Sequence, residues 1–300
     1  MAMTDEETVD FYYKDAVKYL TTGINCFHVK RRYNKVQRLL GGLDETPDHI
    51  ELFVMSALLA KVKPYAAHLA LKKLRDVRTA RDEYEKYTAF EALLASNKIG
   101  RSIHQHGYAT RQFSDSDPTT VFKGVRELIT IIEDLGYPTF ATCGTLLGLV
   151  RDKSLLPFDD DIDLNVVLPA GDHKSAAEQF VQLVPKLTAA GIECSLVEPT
   201  RTIIKLPKVD GFIVDLFPAY GTEEAFFVYP YSFADLPRSD FLPLQPCHVS
   251  DLPIPKHPET VLEVNYGPGW VSPDQRYVFP WRAQRKKFAN LLSALLEAGS

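Results

Sequence analysis

Within residues 139–168, TFATCGTLLGLVRDKSLLPFDDDIDLNVVL, four aspartates stand at the mouth of an apolar strand. Asp159, Asp160, Asp161 and Asp163 run directly into Leu164, Val166 and Leu168. Successive side chains of a strand point to opposite faces, so Asp159, Asp161, Asp163 and Asn165 share one face. Ile162, Leu164, Val166 and Leu168 share the other and enter a core. Carboxylates two apart on a strand lie about 7 Å from one another, and each such pair repels by roughly 2–3 kcal/mol at an effective dielectric of ~20. A fold accepts that cost beside a buried strand when a cation occupies the face. With no His or Cys among the donors, hard oxygen ligands point to Mg2+ or Mn2+ rather than zinc. The bland use of such a run is a solvated acidic turn, and Asp160, on the opposite face, belongs to it.

The stretch ahead of the aspartates reads as strand, tight turn and helix. Residues 139–143 are β-prone, Gly144-Thr145 is the break, and residues 146–150 begin a short helix. Glycine lets backbone approach a ligand closely, and the first N–H groups of a helix are open to an anion. Thr145 adds a hydroxyl, while Arg151 and Lys153 add positive charge on the far side. A phosphate-binding turn followed at this distance by an alternating aspartate strand is similar to the layout of the nucleotidyltransferase superfamily.

A second signal lies at 202–217. Ile203, Ile204, Lys205 and Leu206 form one strand, Asp210-Gly211 marks a hairpin turn, and residues 212–217, FIVDLF, return. Asp215 is a lone carboxylate inside this apolar strand. Buried unpaired it would cost several kcal/mol, so it requires a cation or strong donors. A salt bridge to Lys205 or Lys208 is one solution, and a metal ion is another.

Residues 143–151, CGTLLGLVR, followed by residues 156–163, LPFDDDID, resemble the signature of the LicD/fukutin-related family, a GTLLGAVR segment followed by IPWDDDID. Leu149 and Phe158 stand here where Ala and Trp are usual. The resemblance implies an α+β fold: a nucleotidyltransferase-like mixed sheet with flanking helices. It implies transfer of a phospho-alcohol, phosphocholine-like or polyol-phosphate-like, from a CDP-activated donor to a hydroxyl of a cell-surface glycan, with release of CMP. Asp161, Asp163 and Asp215 are then the ligands of Mg2+ or Mn2+, with Asp215 supplied by a neighbouring strand. Gly144 and Thr145 cradle donor phosphates, with Arg151 and Lys153 beside them. Asp159 is either the base for the acceptor hydroxyl or a further ligand. The run from Pro253 through His257 and Tyr266 to Trp270 resembles the family's C-terminal segment, whose Trp270, Tyr266 and His257 either line the donor pocket or pin the C-terminal loop to the core. Tyr266 reads rather as a pin for the C-terminal loop.

The rest of the chain bounds these expectations. Three hundred residues with 45% hydrophobic content suffice for two domains. A helical N-terminal region is expected over 1–113, with a run Ser114-Asp115-Ser116-Asp117 as linker and a catalytic domain over 118–300. Tyr12, Tyr13, Ala16, Val17 and Leu20, then Ile50, Phe53, Val54, Ala57 and Leu58, recur at helical spacing, and helical pattern continues to about residue 105. Helix, short break, helix, repeated, is compatible with tetratricopeptide-like hairpins. Further helices are read over 120–135, 176–190 and 281–295, a strand over 192–197, and His173 as a helix cap. The net charge of −5 speaks against nucleic acid as partner. Cys26, Cys143, Cys194 and Cys247 are widely spaced, which fits a reducing, cytoplasmic setting. No apolar run reaches membrane-spanning length, which leaves peripheral association. The basic run Lys30-Arg31-Arg32 reads first as simply exposed, and otherwise as a contact for a phosphorylated acceptor or an anionic surface. Two other functions compete: a nucleotidyltransferase or metal-dependent glycosyltransferase using the same Asp-x-Asp pair, and a non-catalytic scaffold built on the helices.

Overall fold

The computed structural model describes residues 3–22, 29–96, 112–274 and 276–298. It divides into two compact units, Met1–Arg111 with Asp274–Val278, and Gln112–Pro273 with Phe279–Ser300. Cys26 and the expected helical stretch 97–105 lie outside the described residues.

The first unit is helical: α1 (Asp5–Thr22), α2 (Val29–Leu40), α3 (Pro47–Ala60), α4 (Pro64–Ala80) and α5 (Tyr84–Ala95). Pro47 and Pro64 open their helices, where a missing N–H costs nothing, and the Thr46 hydroxyl accepts from the His49 N–H. α3 carries Leu52, Val54, Met55, Ala57 and Leu58 in the core and packs against α1, α2 and α4. The buried Arg78 donates to Glu51 at 2.8 Å and to Glu83 at 2.9 Å, and the Tyr13 hydroxyl donates to Glu51. The 274–278 segment is tied to this unit by Arg75 to Asp274 (2.7 Å), by Arg276 to Glu91, and by the His68 ring against the Tyr277 carbonyl. Of the basic run, Arg32 forms an ion pair with Asp15.

The second unit opens with a single 3-10 turn at Phe113–Asp115 and then α6 (Pro118–Asp134), capped by Asp117. The sheet strands follow: β1 (Thr139–Ala141), β2 (Asp161–Val167), β3 (Ser195–Leu196), β4 (Ile204–Val209), β5 (Phe212–Gly221), β6 (Phe226–Val228) and β7 (Ser232–Phe233). The path is β1-β2-β5-β4-β3, with β6 on the far end of β5 and β7 on β6. The β2–β5 pair is parallel and the other pairs are antiparallel, so the sheet is mixed. The β4–β5 hairpin turns through Asp210 (φ 47°) and Gly211 (φ 84°), the left-handed pair that a two-residue loop matching strand twist requires. Between β1 and β2 lie α7 (Cys143–Leu147) and a π-helical turn at Gly148–Asp152. α8 (His173–Ala189) joins β2 to β3; beyond β7 come α9 (Arg238–Phe241), β8 (Gln245–Pro246), β9 (Pro253–Ile254), α10 (Pro258–Tyr266), α11 (Trp281–Lys287) and α12 (Ala289–Ala298). α6 packs on β1 and β4, α8 on β3 and β5, and α12 on α8.

Four local readings differ from the structure. The helix ahead of the aspartates begins at Cys143, so Gly144 and Thr145 lie inside α7 rather than at a break before it. The strand over 192–197 shrinks to the two residues of β3. The closing helix over 281–295 breaks at Phe288, whose buried ring meets Tyr229 and Phe233 edge-on at 5.1 and 5.0 Å. That aromatic anchor turns the chain between α11 and α12. His173 is not the cap of α8. Asp172 takes that role, accepting from the Lys174 and Ser175 N–H groups at 2.9 Å, while His173 pairs with the Tyr220 hydroxyl at 2.7 Å.

Candidate active site

β2 carries Asp161 and Asp163 on the face that the alternation of the sequence gives them, between the fully buried Ile162 and Leu164. The parallel neighbour β5 sets Ile213 beside Asp161 and Asp215 beside Asp163. Directly opposed residues share a sheet face, so the three carboxylates converge from two strands. One oxygen from each of Asp161, Asp163 and Asp215 lies within 4.8 Å of the others, and Asp159, Asp160 and Asp161 form a second such group. β2 begins only at Asp161, so Asp159 and Asp160 precede the strand and its alternation does not set Asp160 on an opposite face. Asp215 is buried. Burial, reinforced by the charges of Asp161, Asp159 and Asp215, holds the Asp163 carboxyl well above the usual carboxylate range. Asp159 is raised in the same direction, first by burial and then by Asp161 and Asp160. Hard oxygen donors that repel one another this strongly fit a divalent cation such as Mg2+ or Mn2+.

Across the hairpin, β4 sets Lys205 opposite Asp215. The Lys205 ammonium donates to both Asp215 oxygens, at 2.5 and 2.7 Å. Lys205, Asp215 and Asp163 thus form one row across three strands. The salt bridge and the carboxylate cluster, alternatives in the sequence, coexist at Asp215.

The turn before β2 holds the aspartates from behind. β1 pairs with β2 only as far as Ala141 opposite Leu164. Beyond it the Thr142 N–H donates to the Asp163 carbonyl at 3.0 Å, and the Asp163 N–H donates to the Thr145 hydroxyl at 2.9 Å. A side chain thereby completes the ladder where the strand has become helix. Thr145 is 2% exposed, so its hydroxyl braces the strand. Gly144 faces Asp159: a Cβ there would stand 2.6 Å from the Asp159 Oδ2. Gly148 is equally constrained, since its Cβ would meet the Ser154 carbonyl oxygen at 2.6 Å and the Leu156 nitrogen at 2.8 Å. Only glycine lets the 154–156 loop fold back over the π-helical turn.

The remaining expected residues lie beside this core. The Arg151 guanidinium grips the Asp152 carboxylate through Nε (2.7 Å) and a terminal nitrogen (3.1 Å), and its other terminal nitrogen donates to the Trp270 carbonyl at 3.4 Å. Arg151 and Trp270 are therefore brought together, with the Arg151 charge already matched by Asp152. Lys153, left-handed at φ 55°, donates to the Val150 carbonyl at 2.8 Å and is exposed. Tyr266 packs its ring on Tyr231 at 5.0 Å. Asn165 shares the aspartate face but is fully buried, its amide donating to the carbonyls of Phe217, Pro218 and Tyr229. The polar face of β2 thus closes after Asp163.

One contributor escaped the sequence. The Phe113 N–H donates to the Asp159 carbonyl at 3.1 Å, and the Ser114 N–H donates to the Pro157 carbonyl at 3.0 Å. The Phe113 ring is 5% exposed and packs on Phe212 with centroids 4.3 Å apart. Part of the apparent linker is therefore a brace for the aspartate loop. The only sequence signal was a single aromatic ahead of a Ser/Asp run.

Residues 136–257 match the family model described as LicD/FKTN/FKRP, nucleotidyltransferase domain. No curated protein matches the chain significantly. Among solved structures, the chain is similar to the antibiotic-resistance factor ANT(2'')-Ia, determined in solution, at 14% identity and a TM-score of 0.33 over 61% of this chain and 92% of that one. At that score the likeness places no residue. No helix of the described residues is long and apolar enough to cross a membrane.

Proposed function

From the premise that residues 136–257 form a LicD/FKTN/FKRP nucleotidyltransferase domain, we propose that this chain transfers a substituted phosphate group. The donor is a CDP-activated phospho-alcohol, phosphocholine-like or polyol-phosphate-like. The acceptor is a hydroxyl of a glycan of capsule, lipopolysaccharide or teichoic-acid type, the product released is CMP, and the setting is cytoplasmic. The observation that carries the reading is the convergence of Asp161, Asp163 and Asp215 from two parallel strands onto one point.

Asp161, Asp163 and Asp215 would hold Mg2+ or Mn2+. When bound, such an ion supplies a compact positive charge against the donor's pyrophosphate, the main requirement of phosphoryl transfer. Asp159 is the base for the acceptor hydroxyl; burial and the charges of Asp161 and Asp160 raise its proton affinity. Gly144 gives Asp159 its room, and Thr145 holds the Asp163 backbone in register. Lys153 adds exposed positive charge beside the turn, and Arg151 ties the Trp270 segment to it. Positioning and electrostatics then supply most of the rate, with little covalent work left to the protein.

The test is product analysis with a CDP-alcohol labelled in its β-phosphate, Mg2+ and a glycan acceptor. Label on the glycan with stoichiometric CMP supports the reading. A nucleotidyl adduct or a transferred sugar replaces it with a nucleotidyltransferase or glycosyltransferase, and no turnover with any nucleotide donor favours a scaffold.

A further inference from the structure

Lys205 has no part in the roles assigned above, yet it is placed as closely as any of the aspartates. Its neighbours along β4, Ile204 and Leu206, are buried in the core, which turns Lys205 to the opposite face. There it stands in register with Asp215, which stands in register with Asp163. Its ammonium lies between both Asp215 oxygens. The two partners differ in burial: the Asp215 side chain is 7% exposed and that of Lys205 is 37% exposed. The carboxylate is fixed in the sheet, while the lysine reaches it on a flexible four-carbon stem from the solvent side.

This geometry sets a conflict. Asp215 needs an oxygen for a divalent ion, and both of its oxygens are engaged by an ammonium that also repels a second cation. An anionic ligand beside the ion resolves it, because a phosphate oxygen is an equally good acceptor for the ammonium. We propose that Lys205 is a hand-off cation. It occupies Asp215 while no phosphate is present and passes to a phosphate oxygen of the arriving diphosphate, so that divalent ion and nucleotide diphosphate bind cooperatively. The inference rests on the metal reading of the triad and adds a ligand-binding residue to it. It also gives the site a reason to stay weakly loaded until its donor arrives. By linkage, the ligand must tighten the ion as much as the ion tightens the ligand.

The test is Mn2+ binding to the full chain by electron paramagnetic resonance, with and without CDP, the Mn2+–CDP complex being measured separately and subtracted. In the wild type CDP is expected to tighten Mn2+ roughly fivefold or more. Lys205→Met should bind Mn2+ alone more tightly than the wild type and lose most of the CDP enhancement. Lys205→Arg should shift the other way, since a bidentate guanidinium holds both carboxylate oxygens more firmly. It keeps the buried carboxylate paired, so it serves if the Met variant fails to fold. No Mn2+ binding by the wild type, with or without CDP, overturns the metal reading and this inference with it. Mn2+ binding that is indifferent to residue 205, with CDP enhancement intact, overturns the hand-off alone and leaves Lys205 as a salt bridge.

Discussion

Asp163 and Asp215 are register partners across the parallel β2–β5 pair, so two carboxylates far apart in sequence are adjacent on one sheet face. Neither depends on a mobile loop for its position. Ile162 and Leu164 fix the first, Val214 and Leu216 the second, and all four are fully buried. A carboxylate cluster built this way is preformed, and the mutual repulsion of its members is met in part by the Lys205 ammonium at Asp215.

Asp161→Asn and Asp163→Asn should each lower transfer ~100-fold or more while the protein stays folded, the scale of one lost electrostatic stabiliser. Asp163→Asn should also raise the melting temperature of the metal-free protein, because a buried group crowded by like charges becomes neutral. Asp160→Ala should be mild. Near-normal turnover of either Asn variant at saturating Mg2+ would remove that residue from the ligand set.

Thr145→Val keeps the shape of the side chain and leaves the Asp163 N–H without its acceptor. The expected loss is ~1–3 kcal/mol of stability, the cost of a buried unsatisfied donor. Thr145→Ser should recover most of it in the same urea titration. A Val variant as stable as the wild type would show that the hydroxyl does not brace β2.

Gly144→Ala tests the fit between α7 and Asp159. In a helix this change commonly stabilises by roughly 0.5–1 kcal/mol, but here the new methyl would lie 2.6 Å from a carboxylate oxygen. We expect at least a tenfold loss of transfer as Asp159 is displaced. In an Asp159→Ala background the same substitution should have little further effect, a non-additivity read directly from a double-mutant cycle.

Much of this was legible in the sequence because period and punctuation are strong signals here. Strict alternation through Asp161, Ile162, Asp163 and Leu164 assigned the strand faces, and Asp210-Gly211 marked the hairpin that returns Asp215 to the sheet. What was not legible depends on non-local packing. Lys205 and Lys208 were equal candidates for Asp215 until the β4–β5 register chose Lys205. The breaks at Phe288 and the pairing of His173 with Tyr220 follow from aromatic contacts that no local pattern encodes. Phe113 read as the edge of a linker because its partner, Phe212, lies far along the chain.

In the helical unit, burial and the nearby Arg276 charge, with Lys72 adding to them, hold the His68 imidazole below its usual value, against the Tyr277 carbonyl and Asp274. A histidine depressed in the fold takes its proton more readily when unfolded. Its contribution to stability is therefore complete above about pH 6.5 and is lost as pH falls through the folded-state value. His68→Gln can still donate to the Tyr277 carbonyl and does not titrate. The drop in melting temperature between pH 7.5 and pH 5 should be smaller in that variant than in the wild type. Equal drops would mean that His68 does not report the acid sensitivity of this unit.

The position of Phe113 also decides where a catalytic fragment can begin. A start at residue 118 discards the ring that packs on Phe212 and both N–H donors that hold the Pro157 and Asp159 carbonyls. Losing a buried phenyl costs on the order of 3–5 kcal/mol, and the loop it frees carries Asp159. A fragment of residues 112–300 keeps the ring, the two donors and the Gln112–Asp115 box that shapes the turn. Both fragments lack the helices that hold 274–278, so that loss cancels in the comparison. The longer fragment should bind Mn2+ within a few-fold of the full chain. The shorter one should bind at least ten times more weakly and melt lower. Calorimetry on the two soluble fragments separates the cases. Equal Mn2+ affinities would show that 112–117 is a linker after all and that the aspartate loop holds its shape without it.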